Sequence, residues 1–320
     1  MNHISMLCSI HQKEIMPLTA STIMMIRPNA FGYNDETSTS NAFQQRITLI
    51  DNRYVTDLAL KEFDHSVNIL MQHNIEVLIF DDTSEPQTPD AVFPNNWISV
   101  HADGTVILYP MMAINRRSER RKDIVESLQS KFCIHTIHDL AHHETEGRFL
   151  EGTGSIVFDH QQKIAFAAIS DRTHAMVFHE CCELLGYQPI TFRAFHEHGL
   201  PVYHTNVLMH VNPIVSAVCY DMIFEDDRSL VMDALIQNTQ KPIILSAQQV
   251  NNFAGNMLVI LNSQGTPFLI GSKRGFDSLT KEQMRQIPID SIQLDIPTIE
   301  TIGGGSARCM MAEIHSSPII

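Results

Sequence analysis

At 320 residues, with 44% hydrophobic and 18% charged residues, the chain can bury a sizeable core and is too apolar for a disordered polypeptide. Its formal net charge of −14 and pI near 5.6 argue against a nucleic-acid or anionic-membrane partner, since either calls for a basic face. No apolar run is long enough to span a bilayer.

Residues 1–20 carry Lys13 and Glu14 among short apolar pieces and lack the continuous apolar centre of a signal peptide. They read as an N-terminal extension, which leaves 21–320 as one domain. The segment 22–28, TIMMIRP, predicts a buried strand stopped by Pro28. Residues 29–45, full of turn formers, read as a long binding loop or lid. A helical face of Phe63, Val67, Leu70 and Met71 marks 60–72, and IEVLIF at 75–80 is a strand. After a proline-rich acidic loop, strands 97–100 and 105–109 flank the Asp103–Gly104 turn, a hairpin signal.

A charged amphipathic helix is expected over 117–132, with Ile124, Val125, Leu128 and Phe132 inward, followed by the strand CIHTIHDL. Strands 154–159 and 163–169 form another hairpin. A helix over 172–185 then turns Val177, Cys181, Leu184 and Leu185 inward and ends at Gly186. Strands follow at 188–193, 214–220, 242–246, 256–261, 266–270 and near 291–294, with helices at 227–236, near 247–254 and at 280–286. Thr280 and Gln283 form a capping box for the last helix. The recurring order of hairpin, helix and strand argues for an α/β fold and against two unlike domains. Periodicity alone leaves open whether the units form an open sheet or a closed ring.

The six cysteines, Cys8, Cys133, Cys181, Cys182, Cys219 and Cys309, contain no CxxC pair, which fits a reducing, cytoplasmic compartment. Among seventeen histidines, His142–His143–Glu144 and His196–Glu197–His198 are the local groupings. Neither has the spacing of a common zinc motif, so no metal is expected.

One cysteine stands apart. In GGGSARCMMAE, Gly303–Glu313, three glycines lead into Ser306, Ala307, Arg308 and Cys309. Such a turn lets a substrate approach the main chain closely, and a thiol beside backbone N–H groups and Arg308 is expected to be activated as the thiolate. Upstream lie four further clusters: Asp90 with Asn95 and Asn96 in PDAVFPNNW, Glu151 in LEGTGSIVFD, Arg172 in AAISDRTH, and His204 in PVYHTNVLMH. Each has an ordinary structural reading by itself, as turn former, solvated acid, helix cap or satisfied histidine. Together they contain a nucleophile, a proton-transfer histidine, carboxylates and an arginine for a substrate carboxylate.

In order and wording these motifs resemble the guanidine-modifying superfamily of arginine deiminases, dimethylarginine dimethylaminohydrolases and amidinotransferases, from about residue 22 to the end. RPNAFGYNDETSTSNAFQ, FPNNW and TEGRFLEGTGSIVFD look most like the citrulline-utilisation hydrolase branch. The resemblance implies a five-bladed α/β propeller, the pentein fold, with the site on its central axis and no metal or organic cofactor. It implies Cys309 as nucleophile, and His204 as acid to the leaving amine and base for water. Glu151 would orient the substrate nitrogens, Arg172 and Arg116 would hold the α-carboxylate, and Asp90 would meet the α-amino end. Arg117 is the alternative to Arg116.

Asn96 stands where arginine-processing relatives carry an acid, and Asn206 where arginine deiminases carry an aspartate. A neutral ureido oxygen needs a donor, so Asn96, with Asn95 as alternative, points to citrulline ahead of arginine. The expectation is therefore a cytoplasmic hydrolase releasing ammonia, carbon dioxide and ornithine from citrulline, with a small-molecule substrate and a homodimer as one candidate assembly. An amidinotransferase, an arginine deiminase or dimethylarginine hydrolase, and a non-catalytic binding propeller are the alternatives.

Overall fold

The computed structural model describes residues 19–47, 51–83, 85–236 and 241–319, so residues 1–18 of the expected extension lie outside it. Thr19 and Ala20 are buried: the Ala20 carbonyl accepts from Leu261 N–H and Thr19 Oγ1 from Asn212, which ties this end to the body of the domain.

The strands are β1 (Thr22–Arg27), β2 (Glu76–Asp81), β3 (Ile98–Val100), β4 (Thr105–Leu108), β5 (Thr136–Asp139), β6 (Val157–Asp159), β7 (Ile164–Ala168), β8 (Gln188–Phe192), β9 (Met209–His210), β10 (Ala217–Val218), β11 (Ile243–Ile244), β12 (Leu258–Leu261), β13 (Pro267–Ser272), β14 (Asp290–Leu294) and β15 (Ala312–Ile314). They form one six-stranded sheet, β2-β1-β15-β3-β4-β5, and three of three strands, β6-β7-β8, β9-β10-β11 and β12-β13-β14. No sheet closes on itself among the described residues. One unit recurs: an antiparallel pair, then a crossover to a strand parallel to the second. Parallel neighbours need such a crossover: Asn52–Gln72 joins β1 to β2, Lys122–Lys131 β4 to β5, Ala175–Leu185 β7 to β8, Glu225–Ile236 β10 to β11, and the short helices Lys273–Asp277 and Lys281–Arg285 join β13 to β14. This is the expected α/β order.

Local signals hold where they are strongest. Gly186 ends Ala175–Leu185 in the left-handed conformation. Both bonds of the Thr280–Gln283 capping box form, and Gly104 takes φ +79° in the β3–β4 turn. Several boundaries differ. The helix expected at 60–72 begins at Asn52, because Asp51 accepts from Arg53 N–H as its N-cap. Met71 and Leu184, expected inward, are exposed; each sits at the edge of its helix's apolar stripe. Residues 152–155 form a helical turn ahead of β6, the 117–132 helix is broken by a 3₁₀ turn over Ile114–Glu119, and the strand at 214–220 shrinks to Ala217–Val218. Among the described residues Cys181, Cys182, Cys219 and Cys309 are free thiols. Cys133 is disulfide-bonded, against the expectation of reduced cysteines throughout. No helix among the described residues is long and apolar enough to cross a membrane.

Candidate active site

The site is built where short turns meet. The 3₁₀ turn Pro94–Asn96, the turn Gly152–Ser155, the turn Thr205–Leu208 and the 3₁₀ turn Ala307–Met310 bring Asn96, Glu151, His204 and Cys309 together. Glycine permits the approach. A Cβ on Gly152, whose φ is +46°, would stand 2.2 Å from the Asn95 carbonyl oxygen, and one on Gly154 would stand 2.5 Å from Asn96 Nδ2 and 2.7 Å from His204 Nδ1. The second glycine of the EGTG stretch therefore gives room to two site side chains at once.

Glu151 is fully buried. Its Oε2 lies 2.8 Å from His204 Nε2 and 3.4 Å from Arg172 Nη1, and its Oε1 accepts from Met112 N–H at 3.1 Å. Burial by itself would raise the pKa of this carboxyl. The charge on Arg172, the His204 hydrogen bond and Arg116 outweigh burial and hold it well below the usual carboxylate range. A carboxylate only accepts, so the proton of neutral His204 sits on Nε2 and Nδ1 keeps the lone pair. Burial pushes the His204 pKa down to about 4 against the pull of Glu151, which leaves the ring neutral at pH 7.

Cys309 Sγ lies 3.3 Å from Asn256 Nδ2 and 3.5 Å from Asn206 Nδ2. Asn256 also donates to the backbone carbonyl of Asn206 at 3.0 Å, which ties the Asn256 amide to the turn that carries Asn206. Arg308 does not serve the sulfur as expected. Its guanidinium donates to the Met311 carbonyl and to Glu313 Oε2 at 2.7 Å, because the side chain leaves the 3₁₀ turn in another direction from Cys309. Two neutral amides stand where the sequence suggested a cation. The glycine loop is held by Tyr203 Oη, which donates to the Gly304 carbonyl at 2.7 Å, and by Ser306 Oγ, which donates to Glu300 Oε1 at 2.6 Å.

Asp90 Oδ2 accepts from Asn34 Nδ2 at 2.8 Å and Thr37 Oγ1 at 3.2 Å. Its Oδ1 is buried without a partner, an acceptor ready for an ammonium group. Arg116 is buried and lines the same cleft, whereas Arg117 turns away to the Met111 carbonyl and Glu144. Arg116 grips Glu119 bidentately, both contacts 2.9 Å, and donates through Nη1 to Asn96 Oδ1 at 2.8 Å. That leaves no free fork for a substrate carboxylate, so its geometry fits orienting Asn96. Burial raises the Glu119 carboxyl to about 7 against the opposing charge of Arg116. Asn95 is buried, bonded to Asn96 through Oδ1.

The loop expected at 29–45 is ordered around a helical turn, Asp35–Ser38, and closes over the cleft. Arg172 donates to the Thr37 carbonyl at 2.7 Å and to Ser40 Oγ at 2.8 Å, and Asn41 donates to the Gly304 carbonyl at 3.2 Å. A cleft of about 10 Å³ remains, bordered by Asp90, Asn96, Arg116, Arg172, His204 and Cys309 among others. That is room for about one water. A depression of about 940 Å³ lies elsewhere, between Ser246, Gln249 and the ion-paired Lys273 and Asp277, and is lined by neither cysteine nor histidine. Neither grouping of metal-capable side chains among the described residues, His142–His143–Glu180 or His160–Glu313–His315, borders the cleft. Asn34, Asn256, Glu119 and Ser40 were not singled out by sequence. A lone polar residue far along the chain carries no local signal of the cleft it will enter.

The family model described as N,N dimethylarginine dimethylhydrolase, eukaryotic, matches residues 27–316. The apo structure of ArgZ, an arginine dihydrolase from the ornithine–ammonia cycle in cyanobacteria, superposes with a TM-score of 0.72 at 16% identity, over 93% of this chain and 41% of that one. The N-terminal domain of ArgZ bound to substrate gives 0.71 at 15% identity over 93% and 99%. A dimethylarginine dimethylaminohydrolase adduct with 4-chloro-2-hydroxymethylpyridine gives 0.63 at 14% identity over 92% and 100%. The chain thus spans about two fifths of the full ArgZ chain. At these identities the likeness establishes the α/β fold. Among curated proteins, none matches this chain.

Proposed function

This chain belongs to the eukaryotic N,N dimethylarginine dimethylhydrolase family, and we propose that it is a cysteine-dependent hydrolase of a guanidino or ureido amino acid. One observation carries the reading: the Cys309 thiol, His204 and Asp90, whose Oδ1 has no partner, border a single cleft, and buried Glu151 holds His204 from behind at 2.8 Å. The three-stranded units β3–β5, β6–β8, β9–β11, β12–β14 and β15-β1-β2 are read as five blades around an axis through that cleft.

Neutral His204 takes the Cys309 proton at Nδ1 as the sulfur attacks the central carbon, forming an S–C bond and a tetrahedral adduct. His204, carrying a proton, gives it to the departing amine as the C–N bond breaks. In its neutral state His204 then takes a proton from water, whose oxygen attacks the S-linked carbon, and collapse of the second adduct expels the thiolate. Glu151 holds the imidazole in orientation and steadies its charged form. Asp90 Oδ1 receives the substrate ammonium. Arg172, once released from Thr37 and Ser40, receives the carboxylate, so entry requires the 29–45 loop to open.

The finer reading remains citrulline, cleaved to ornithine with loss of ammonia and carbon dioxide. Asn96 Oδ1 is occupied by Arg116 and one Nδ2 proton by Asn95, which leaves an N–H donor suited to a ureido oxygen. A second reading, arginine or a methylated arginine, is favoured by charge. Three carboxyl groups, Asp90, Glu119 and Glu151, face the two guanidinium groups of Arg116 and Arg172; with the Glu119 carboxyl raised to about 7 the surplus is a fractional negative charge, which favours a cationic substrate.

Purified protein supplied with citrulline, arginine, methylated arginines and agmatine, with ammonia and ornithine quantified, tests both. The kcat/KM ratio of citrulline over arginine is expected to favour citrulline and to move toward arginine in Asn96→Asp. Preference for arginine in the wild type overturns the citrulline reading. Absence of turnover on every substrate, or turnover only with an acceptor amine present, overturns the hydrolase.

A further inference from the structure

We propose that His160, Glu313 and His315 form a binding site for a divalent transition cation, zinc first, separate from the catalytic cleft. No local motif announces it. His160 directly follows β6, whereas Glu313 lies in β15 and His315 just beyond it. Two residues apart on an extended segment, Glu313 and His315 project to the same side, where the six-stranded sheet meets the β6-β7-β8 sheet. The potential ligand atoms of all three residues lie within 4.8 Å of one another, and the two imidazole rings approach to 4.4 Å between centroids.

The supporting contacts are those of a ligand set. Tyr187 Oη holds His160 Nδ1 at 2.7 Å, fixing the ring and leaving Nε2 available, as an outer partner does for a ligating histidine. Arg308 Nη2 donates to Glu313 Oε2 at 2.7 Å, leaving Oε1 available. His315 Nε2 is buried, has no hydrogen-bond partner and stands 3.4 Å from Glu313 Oε1. Donors at 2.0–2.2 Å from a tetrahedral zinc stand about 3.4 Å from one another. A buried imidazole nitrogen beside a carboxylate oxygen at that separation is spaced to share an ion. Arg308 and Lys163 bring positive charge to this neighbourhood, and Asp103 and Asp159 offset it. A cavity of about 40 Å³, bordered by His160, Glu313, Arg308 and Asn206, leaves space for solvent as a fourth ligand. Two imidazoles and one carboxylate suit zinc and exclude a hard calcium site. Because Arg308 precedes the nucleophile, the ion would fasten the strand that leaves the Cys309 turn.

The test uses the full chain with Cys309→Ala, so that the nucleophilic sulfur cannot itself bind metal. Zinc titration by calorimetry is expected to give one equivalent, and cobalt(II) substitution the visible bands of a four-coordinate site. Adding His315→Ala or His160→Gln should weaken zinc by more than about 100-fold, beyond the 10–100-fold typical of outer partners, whereas adding His142→Ala should leave it unchanged. No bound zinc in Cys309→Ala, affinity indifferent to His315→Ala, or affinity lost with His142→Ala overturns the site. Should a histidine variant fail to fold, X-ray absorption of the zinc-loaded Cys309→Ala protein decides: two imidazole ligands support the assignment, and a shell without imidazole overturns it.

Discussion

Asn256 Nδ2 stands 3.3 Å from Cys309 Sγ while donating at 3.0 Å to the carbonyl of Asn206. The second bond fixes the amide with its N–H side toward the sulfur, so the thiolate meets a donor held in place. Donors to a charged acceptor contribute about 1.5–3 kcal/mol. Asn256→Asp keeps the shape, removes the donor and sets a negative charge beside the sulfur. Its kcat should fall by about 10–100-fold with KM little changed, and inactivation by iodoacetamide should need higher pH. Alkylation at the wild-type rate would dismiss Asn256 as an activator.

The Glu151–His204 pair sets the next expectation. His204→Asn removes the base for the second step, so any adduct on Cys309 should accumulate. Mass spectrometry of the acid-quenched protein after mixing with substrate reads it directly. Cys309→Ala should show neither turnover nor adduct, with an unchanged circular dichroism spectrum. Turnover of the alanine variant within tenfold of wild type would sink the covalent mechanism.

Gly154 tests the geometry. An alanine methyl would stand 2.5 Å from Asn96 Nδ2 and 2.7 Å from His204 Nδ1, so both groups must shift. Displacements near 1 Å at a reacting centre cost about 100-fold in rate. Gly154→Ala should lose roughly that much kcat with only a small drop in thermal midpoint. A variant of wild-type activity would mean that neither Asn96 nor His204 needs its observed position.

His210 gives a pH prediction. Burial lowers its pKa to about 4 from 6.5, so between those values the unfolded chain binds the proton and the folded one does not. The stabilisation is complete above pH 6.5, is lost as pH falls toward 4, and amounts to about 3 kcal/mol. Carboxyls raised by burial, Glu119 among them, act in the opposite sense, so the difference from one variant isolates the histidine. His210→Gln should flatten the fall in thermal midpoint between pH 6.5 and 4.5. An unchanged slope would show that His210 protonates in the folded protein without cost.

What the chain carries locally was readable from residues alone. The α/β order follows from apolar periodicity, and the Gly186 and Thr280–Gln283 signals act within a few residues of themselves. Cys309, His204, Glu151, Asp90 and Arg172 lie in short motifs whose wording survives in one dimension; four of them border one cleft, and Glu151 is hydrogen-bonded to His204 behind it. Other features depend on which turns meet. Arg116 was legible as a site residue, but its bidentate hold on Glu119 was not, and Arg308 was assigned to the sulfur only because it is adjacent in sequence. Asn256, 53 residues before Cys309, and His160, far upstream of Glu313 and His315, have no signal short of the folded chain. A side chain's direction and its competing partners are set by packing between distant segments. Identity and neighbourhood could therefore be read from the sequence, and tertiary structure alone decided which atoms face the sulfur, which arginine is occupied and which imidazole is left without a partner.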